Sequence, residues 1–243
     1  VITSSRWVNC RTTGGWTWTD SPITQGSSSG GATMDVQEDG SILASGINPT
    51  TDEYIVTIPT EATGLRGVLL EVMTDPSLQP GRVGRPSNGN AVISGVTAEV
   101  VSKADPSLRT PIEFIWVWAD HYQPEGNYDF KATNILRPDD GRVWALGSHV
   151  LPGGRAAMLL AKEPFGFEGG STIELKVDCN SIYAQHAIGR FKVMLGTANE
   201  TALARLPLVE TGWYIVGPYA SASAEEAYNT AFGPEEAGAL ALG

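Results

Sequence analysis

Tyr54-Ile-Val-Thr-Ile58 and Ile173-Glu-Leu-Lys-Val177 carry apolar side chains at every second position. A period of two gives each segment one buried face and one wet face, as in a strand of an antiparallel sheet. Further segments at 41–44, 67–73, 91–101, 112–118, 142–146, 156–161 and 189–195 are short and rich in β-branched or aromatic residues. Each is bounded by Gly, Pro, Asn or Asp, which end strands and build turns. The 28 glycines and 15 prolines fit such a turn-rich chain. Only 222–232 has helical character, with Ser223 as an N-cap ahead of Glu225 and Glu226. The expected fold is all-β, an antiparallel sandwich.

An internal echo suggests how the strands are grouped. Asp39-Gly40-Ser41-Ile42-Leu43-Ala44-Ser45-Gly46 returns as Asp140-Gly141-Arg142-Val143-Trp144-Ala145-Leu146-Gly147. Close to the same offset, Leu70-Glu71-Val72 with Asp75 returns as Ile173-Glu174-Leu175 with Asp178. Self-similarity at one period is the mark of a duplicated unit. It predicts two β-sandwich units, 10–103 and 104–200, standing in tandem or fused as one. Residues 198–207 then read as a linker, and Gly212-Trp-Tyr-Ile-Val-Gly-Pro218 opens a C-terminal extension, 207–243, the start of a further module.

Composition narrows the function classes. The 243 residues carry 16 Lys+Arg against 27 Asp+Glu, a formal net charge of −11. Duplex nucleic acid needs clustered cations to displace counterions, so an acidic chain argues against it. No apolar run approaches the length of a membrane span. The chain opens on Val1 rather than Met, which fits either processing or further residues upstream, so a targeting segment is not read from it. Cys10 and Cys179 are the two cysteines. They would pair in an oxidising compartment and stay as buried thiols in a reducing one.

Catalytic motifs do not emerge. There is no GxSxG, HExxH, Walker A or GxGxxG string. His121, His149 and His186 are scattered, with no pair four residues apart, and His186 is expected to hydrogen-bond locally before a closing strand. Asp139-Asp140 are adjacent, so their side chains diverge and do not flank a scissile bond. The chain is therefore expected to be a non-enzyme. Trp16 and Trp18 share one strand face, as do Trp116 and Trp118. Such pairs serve either as core or as a platform on which sugar rings stack. Arg82 and Arg85 stand in a Gly/Pro loop, where a planar guanidinium fork either grips a hydroxyl or carboxylate or stays solvated. Asn199-Glu200-Thr201 fits an N-glycosylation sequon, a common chance match.

The order of motifs carries a resemblance. Gly30-Gly31-Ala32-Thr33-Met34, Asp39-Gly40, Asn48-Pro49 and Asp52-Glu53-Tyr54 are followed by Asp75-Pro76-Ser77-Leu78, Gly84-Arg85 and Asn88-Gly89-Asn90. Pro164-Phe165-Gly166-Phe167-Glu168-Gly169-Gly170 and His186-Ala187-Ile188-Gly189-Arg190-Phe191 come later. The chain resembles the galactose-binding-like (discoidin-type) β-sandwich region of large exported bacterial proteins that also carry cytochrome-c-like modules. The resemblance implies jelly-roll units with a ligand and cation rim on an Asp-Gly loop beside a Trp. Asp39 and Asp140 match that loop and Trp144 the aromatic; Asn90 of the Asn-Gly-Asn turn is a further candidate for ligand binding, with Arg82 and Arg85. Calcium is the cation such a rim would take, since Gly-rich loops supply carbonyl oxygens. The alternative for Asp39 and Asp140 is a plain β-turn, in which Asp accepts a backbone N–H and Gly takes positive φ.

The expectation is a non-catalytic, extracytoplasmic recognition module that binds glycan. The rival is a structural or assembly module docking on neighbouring protein domains or subunits. An exposed aromatic floor in a concave rim would favour the first, and a flat apolar patch the second.

Overall fold

Tyr54, Val56 and Ile58 are fully buried, as are Ile173, Leu175 and Val177, so the sequence alternation reappears as packing. The computed structural model describes residues 15–204 and 206, apart from 125–127 and 139. Its strands are β1 (Trp16–Asp20), β2 (Gln25–Ser28), β3 (Ala32–Val36), β4 (Ile42–Gly46), β5 (Glu53–Thr60), β6 (Leu65–Met73) and β7 (Val92–Ile93). They continue as β8 (Gly95–Ser102), β9 (Arg109–Ile112), β10 (Phe114–Ala119), β11 (Trp144–Ala145), β12 (Arg155–Phe165), β13 (Ser171–Asp178) and β14 (Arg190–Ala198). A 3-10 turn spans Ala132–Leu136 and a short helix, α1, spans Glu200–Ala204. The fold is nearly all β, as the sequence predicts.

One sheet runs β10-β12-β6-β14-β4-β3, with β1 also paired to β14, and the other runs β2-β5-β13-β8-β9. Every pairing is antiparallel. Val68, Leu70, Val72, Val193 and Leu195 of the first sheet pack in one core with Tyr54, Val56, Ile58, Leu175 and Val177 of the second. A β11–β7 ribbon closes one side of that core, with Trp144 fully buried in it.

The division into 10–103 and 104–200 needs correction. β6 sits between β12 and β14, and β13 sits between β5 and β8, so each sheet takes strands from both segments. Neither segment forms a sandwich of its own. The echoed strings also fall on unlike connections. Asp39-Gly40 closes the β3–β4 hairpin, whereas Asp140-Gly141 lies between the 3-10 turn and β11. Leu70-Glu71-Val72 belongs to one sheet and Ile173-Glu174-Leu175 to the other. An Asp-Gly followed by alternating apolar residues specifies a turn and then a strand; it does not specify the strand's partner.

Both Trp pairs are interior. Trp16, Trp18, Trp116 and Trp118 are each 8 % exposed, so neither pair is a sugar platform. Trp16 and Trp18 stack with centroids 5.1 Å apart. They lie over Gly67 and Gly196, where an added Cβ would come within 2.6 Å of the indole atoms. Asn199 is a helix cap: its Oδ1 accepts from Ala202 N–H at 2.9 Å at the start of α1. No helix among the described residues is long and apolar enough to cross a membrane. The expected extension 207–243, its helix at 222–232, and Cys10 lie outside the described residues. Cys179 is buried, and desolvation pushes its thiol up to about 12.

The register gathers the longer connections at one end. Met73 at the end of β6 faces Arg190 at the start of β14, and Val72 faces Arg155 at the start of β12. Ala119 at the end of β10 faces Ala157, while Asp178 at the end of β13 faces Glu53 and Gly95. Connections 74–91, 120–143, 146–154 and 179–189 therefore emerge together, joined by 47–52.

Candidate functional site

Those loops enclose a cavity of about 150 Å³ lined by Asn88, Asn90, Val92, Gln123, Phe130, Ala145, His149, Tyr183 and His186. Its frame is backbone hydrogen bonding between loops distant in sequence. Val92 N–H donates to His186 O at 2.9 Å, Gln123 N–H to Ala145 O at 2.9 Å, and Leu146 N–H to Ala91 O at 3.0 Å. Gly84 is pressed against the frame, with the space for a Cβ taken by Asn90 O at 1.8 Å. Only glycine fits there without moving backbone.

The polar groups in the cavity are oriented. Asn88 Oδ1 accepts from Asn90 N–H at 2.9 Å, which turns its amide so that Nδ2 faces His186 Nε2 at 3.2 Å. His186 Nδ1 lies 2.8 Å from Ala184 O. A carbonyl can only accept, so Nδ1 carries the proton and Nε2 accepts from Asn88. Asn90 is nearly buried: Nδ2 donates to Gln123 Oε1 at 3.0 Å, and Oδ1 accepts from Ser148 N–H at 3.1 Å. His149 Nδ1 is buried and has no hydrogen-bond partner in the protein. Tyr128, Phe130 and Tyr183 form an aromatic run along one side, with successive centroids 5.7 and 5.9 Å apart, and Tyr183 meets the His186 ring edge-on at 6.2 Å.

Of the expected ligand and cation residues Trp144, Asp39, Asp140, Arg82, Arg85 and Asn90, only Asn90 lines this cavity, together with Asn88 of the same turn and with His149 and His186, to which the sequence assigns no binding role. Trp144 is fully buried, and its Nε1 donates to His121 O at 2.8 Å, so it is a core anchor and offers no stacking surface. Arg82 donates to Ser148 O. Arg85 donates to the carbonyls of Ser45, Gly46 and Ile47 at 3.0, 3.1 and 2.6 Å and to Tyr54 Oη at 3.3 Å. Both guanidinium groups clamp loops from within.

The calcium expectation fails on the carboxylates themselves. Asp39 Oδ1 accepts from Ser41 N–H at 3.1 Å and from Ser41 Oγ, and Oδ2 accepts from Arg190 at 2.9 Å. Partial burial works to raise this carboxyl, but the Ser41 and Arg190 hydrogen bonds hold it below the ordinary range. Asp140 Oδ1 accepts from Arg142 N–H at 3.0 Å and Oδ2 from the Arg142 guanidinium, which lowers it likewise. Gly40 and Gly141 follow at φ 76° and 77°. Each is a plain Asp-Gly turn closed by an arginine, and these residues do not fit a cation. Among the described residues no group of three or more His, Cys, Asp or Glu is placed to hold a metal ion.

Sequence reading missed Gln123, His149, Phe130 and Tyr183, and valued His186 only for a local hydrogen bond, which it does make to Ala184. The signal available was diffuse. Amides, imidazoles and tyrosines recur in the loops that leave one end of the strands, without a fixed spacing.

No family model matches this chain, and no curated protein or solved structure matches it.

Proposed function

We propose that this chain is a non-catalytic, exported recognition module that binds a neutral saccharide in the cavity lined by Asn88, Asn90, Gln123, His149, Tyr183 and His186. The observation that carries the reading is the lining itself: three amides and two imidazoles beside a run of aromatic rings. Sugar hydroxyls donate and accept at once, which suits amides and a neutral imidazole of fixed tautomer. The C–H face of a sugar suits a ring, at about 1–2 kcal/mol per stacked contact by analogy with aromatic pairs. His149 Nδ1, buried and unpaired, is a group that a ligand hydroxyl would satisfy.

The volume of about 150 Å³ lies well below the roughly 300–1,000 Å³ of cavities that enclose drug-sized ligands. The site therefore takes one sugar unit, at a chain end or branch, with affinity near millimolar. Electrophoresis through native gels containing neutral polysaccharides tests this. The protein should be retarded by at least one of them, and His186→Ala should run as in a plain gel while keeping its melting temperature. Equal retardation of both forms would refute the assignment.

A further inference from the structure

Around the cavity mouth the protein exposes large apolar side chains. Ile182 is 90 % exposed and adjoins Tyr183; Val150 is 73 % exposed and adjoins His149, with Leu151 at 42 % beside it. Tyr128, 69 % exposed, stacks on Phe130, and Tyr122, 40 % exposed, adjoins Gln123. They sit on the three loops 120–143, 146–154 and 179–189, all at the cavity end of the sandwich.

Charge is distributed with the same bias. The chain has 27 Asp+Glu, yet 45–51, 76–94, 146–155 and 179–190 contain none, and their charged side chains are arginines; the rim loop 120–143 does carry carboxylates, of which Asp129 and Asp140 pair with Arg142. Carboxylates would be costly to desolvate and would be repelled by lipid phosphates; aliphatic tips with flanking tyrosines enter an interface readily. A polar cavity bordered by exposed aliphatic side chains, on loops of which only 120–143 carries carboxylates, fits a ligand whose polar group rises from an apolar plane.

We infer that this end of the protein docks on a membrane and takes the headgroup of a neutral glycolipid into the cavity, while Ile182, Val150 and Leu151 enter the acyl boundary. The inference rests on the saccharide reading above and names the carrier of the sugar.

The test is co-sedimentation of the full chain with phosphatidylcholine vesicles, plain or carrying monogalactosyl or monoglucosyl diacylglycerol. Binding should be about tenfold or more tighter to one glycolipid vesicle than to plain ones. The double variant Ile182→Asp with Val150→Asp, both at well-exposed positions, should lose about tenfold in vesicle binding yet keep its retardation in polysaccharide gels. Asn88→Ala should lose both. No preference for glycolipid vesicles, or equal binding by the double variant, overturns the inference. So does a sedimentation-velocity dimer that the double variant abolishes, since the rim would then belong to a second copy. For the parent protein, gel retardation without glycolipid-vesicle binding refutes only the membrane step, and absence of both refutes the saccharide reading as well.

Discussion

Asn88 Nδ2 faces His186 Nε2 at 3.2 Å, joining two loops 98 residues apart in the chain across the mouth of the cavity. The contact depends on an amide with a fixed orientation and an imidazole with its proton on Nδ1. Asn88→Asp replaces the donor with an acceptor and sets it against the lone pair of Nε2. It should abolish polysaccharide retardation while lowering stability by no more than about 1 kcal/mol, since the site is exposed. Retained binding by Asn88→Asp would exclude this pair from the site.

Trp144 is a stability residue. Trp144→Ala empties a fully buried position and strands the His121 carbonyl, at a cost of about 3–5 kcal/mol. For a chain of this size the melting temperature should fall by about 10 °C. A change of a degree or two, with lost saccharide binding, would contradict the core placement.

Gly84→Ala tests the frame under the cavity. Its Cβ would overlap Asn90 O and lie 2.3 Å from Asn90 C, both backbone atoms that relax poorly. The variant should lose about 2–4 kcal/mol in urea unfolding and lose binding with it, because Asn90 must move. Unchanged midpoints would show the approach to be softer than drawn.

Asp120 predicts a pH dependence. Burial raises its carboxyl to about 6, against the opposing hydrogen bond from Ala156 N–H and the charge of Arg155. An unfolded Asp titrates near 3.9, so between about pH 4 and 6 the folded state binds more protons than the unfolded. This residue's contribution to stability therefore falls as pH rises through that window, and the penalty is complete above it. Asp120→Asn keeps an acceptor for Ala156 and cannot ionise. Relative to the parent it should gain on the order of 2 kcal/mol between pH 4 and pH 7. A gap that does not change with pH would rule this out.

Fold class was legible because alternation at 54–58 and 173–177 is a local property that core burial must respect. Strand partners were not, since Asp39-Gly40 and Asp140-Gly141 encode the same turn chemistry at unrelated places. The stretch 142–146 reads as a strand, but only Trp144–Ala145 pairs, because Asn134 Nδ2 takes the Val143 carbonyl at 2.9 Å. At the site, Asn90 was legible through its Asn-Gly-Asn turn. Gln123 and His149 were not, because four connections meet there only after both sheets have formed. Trp144 misled because aromatic character does not tell a stacking floor from a core anchor.

Titration of isotope-labelled protein with a saccharide that retards it, followed by NMR, reads the site most directly. The side-chain amides of Asn88, Asn90 and Gln123 and the ring of His186 should shift together and saturate at millimolar ligand, while Glu99, Glu174 and Lys176 on the outer face of the second sheet stay fixed. Shifts confined to that outer face, with Asn88 and His186 unmoved, would contradict the assignment of the cavity.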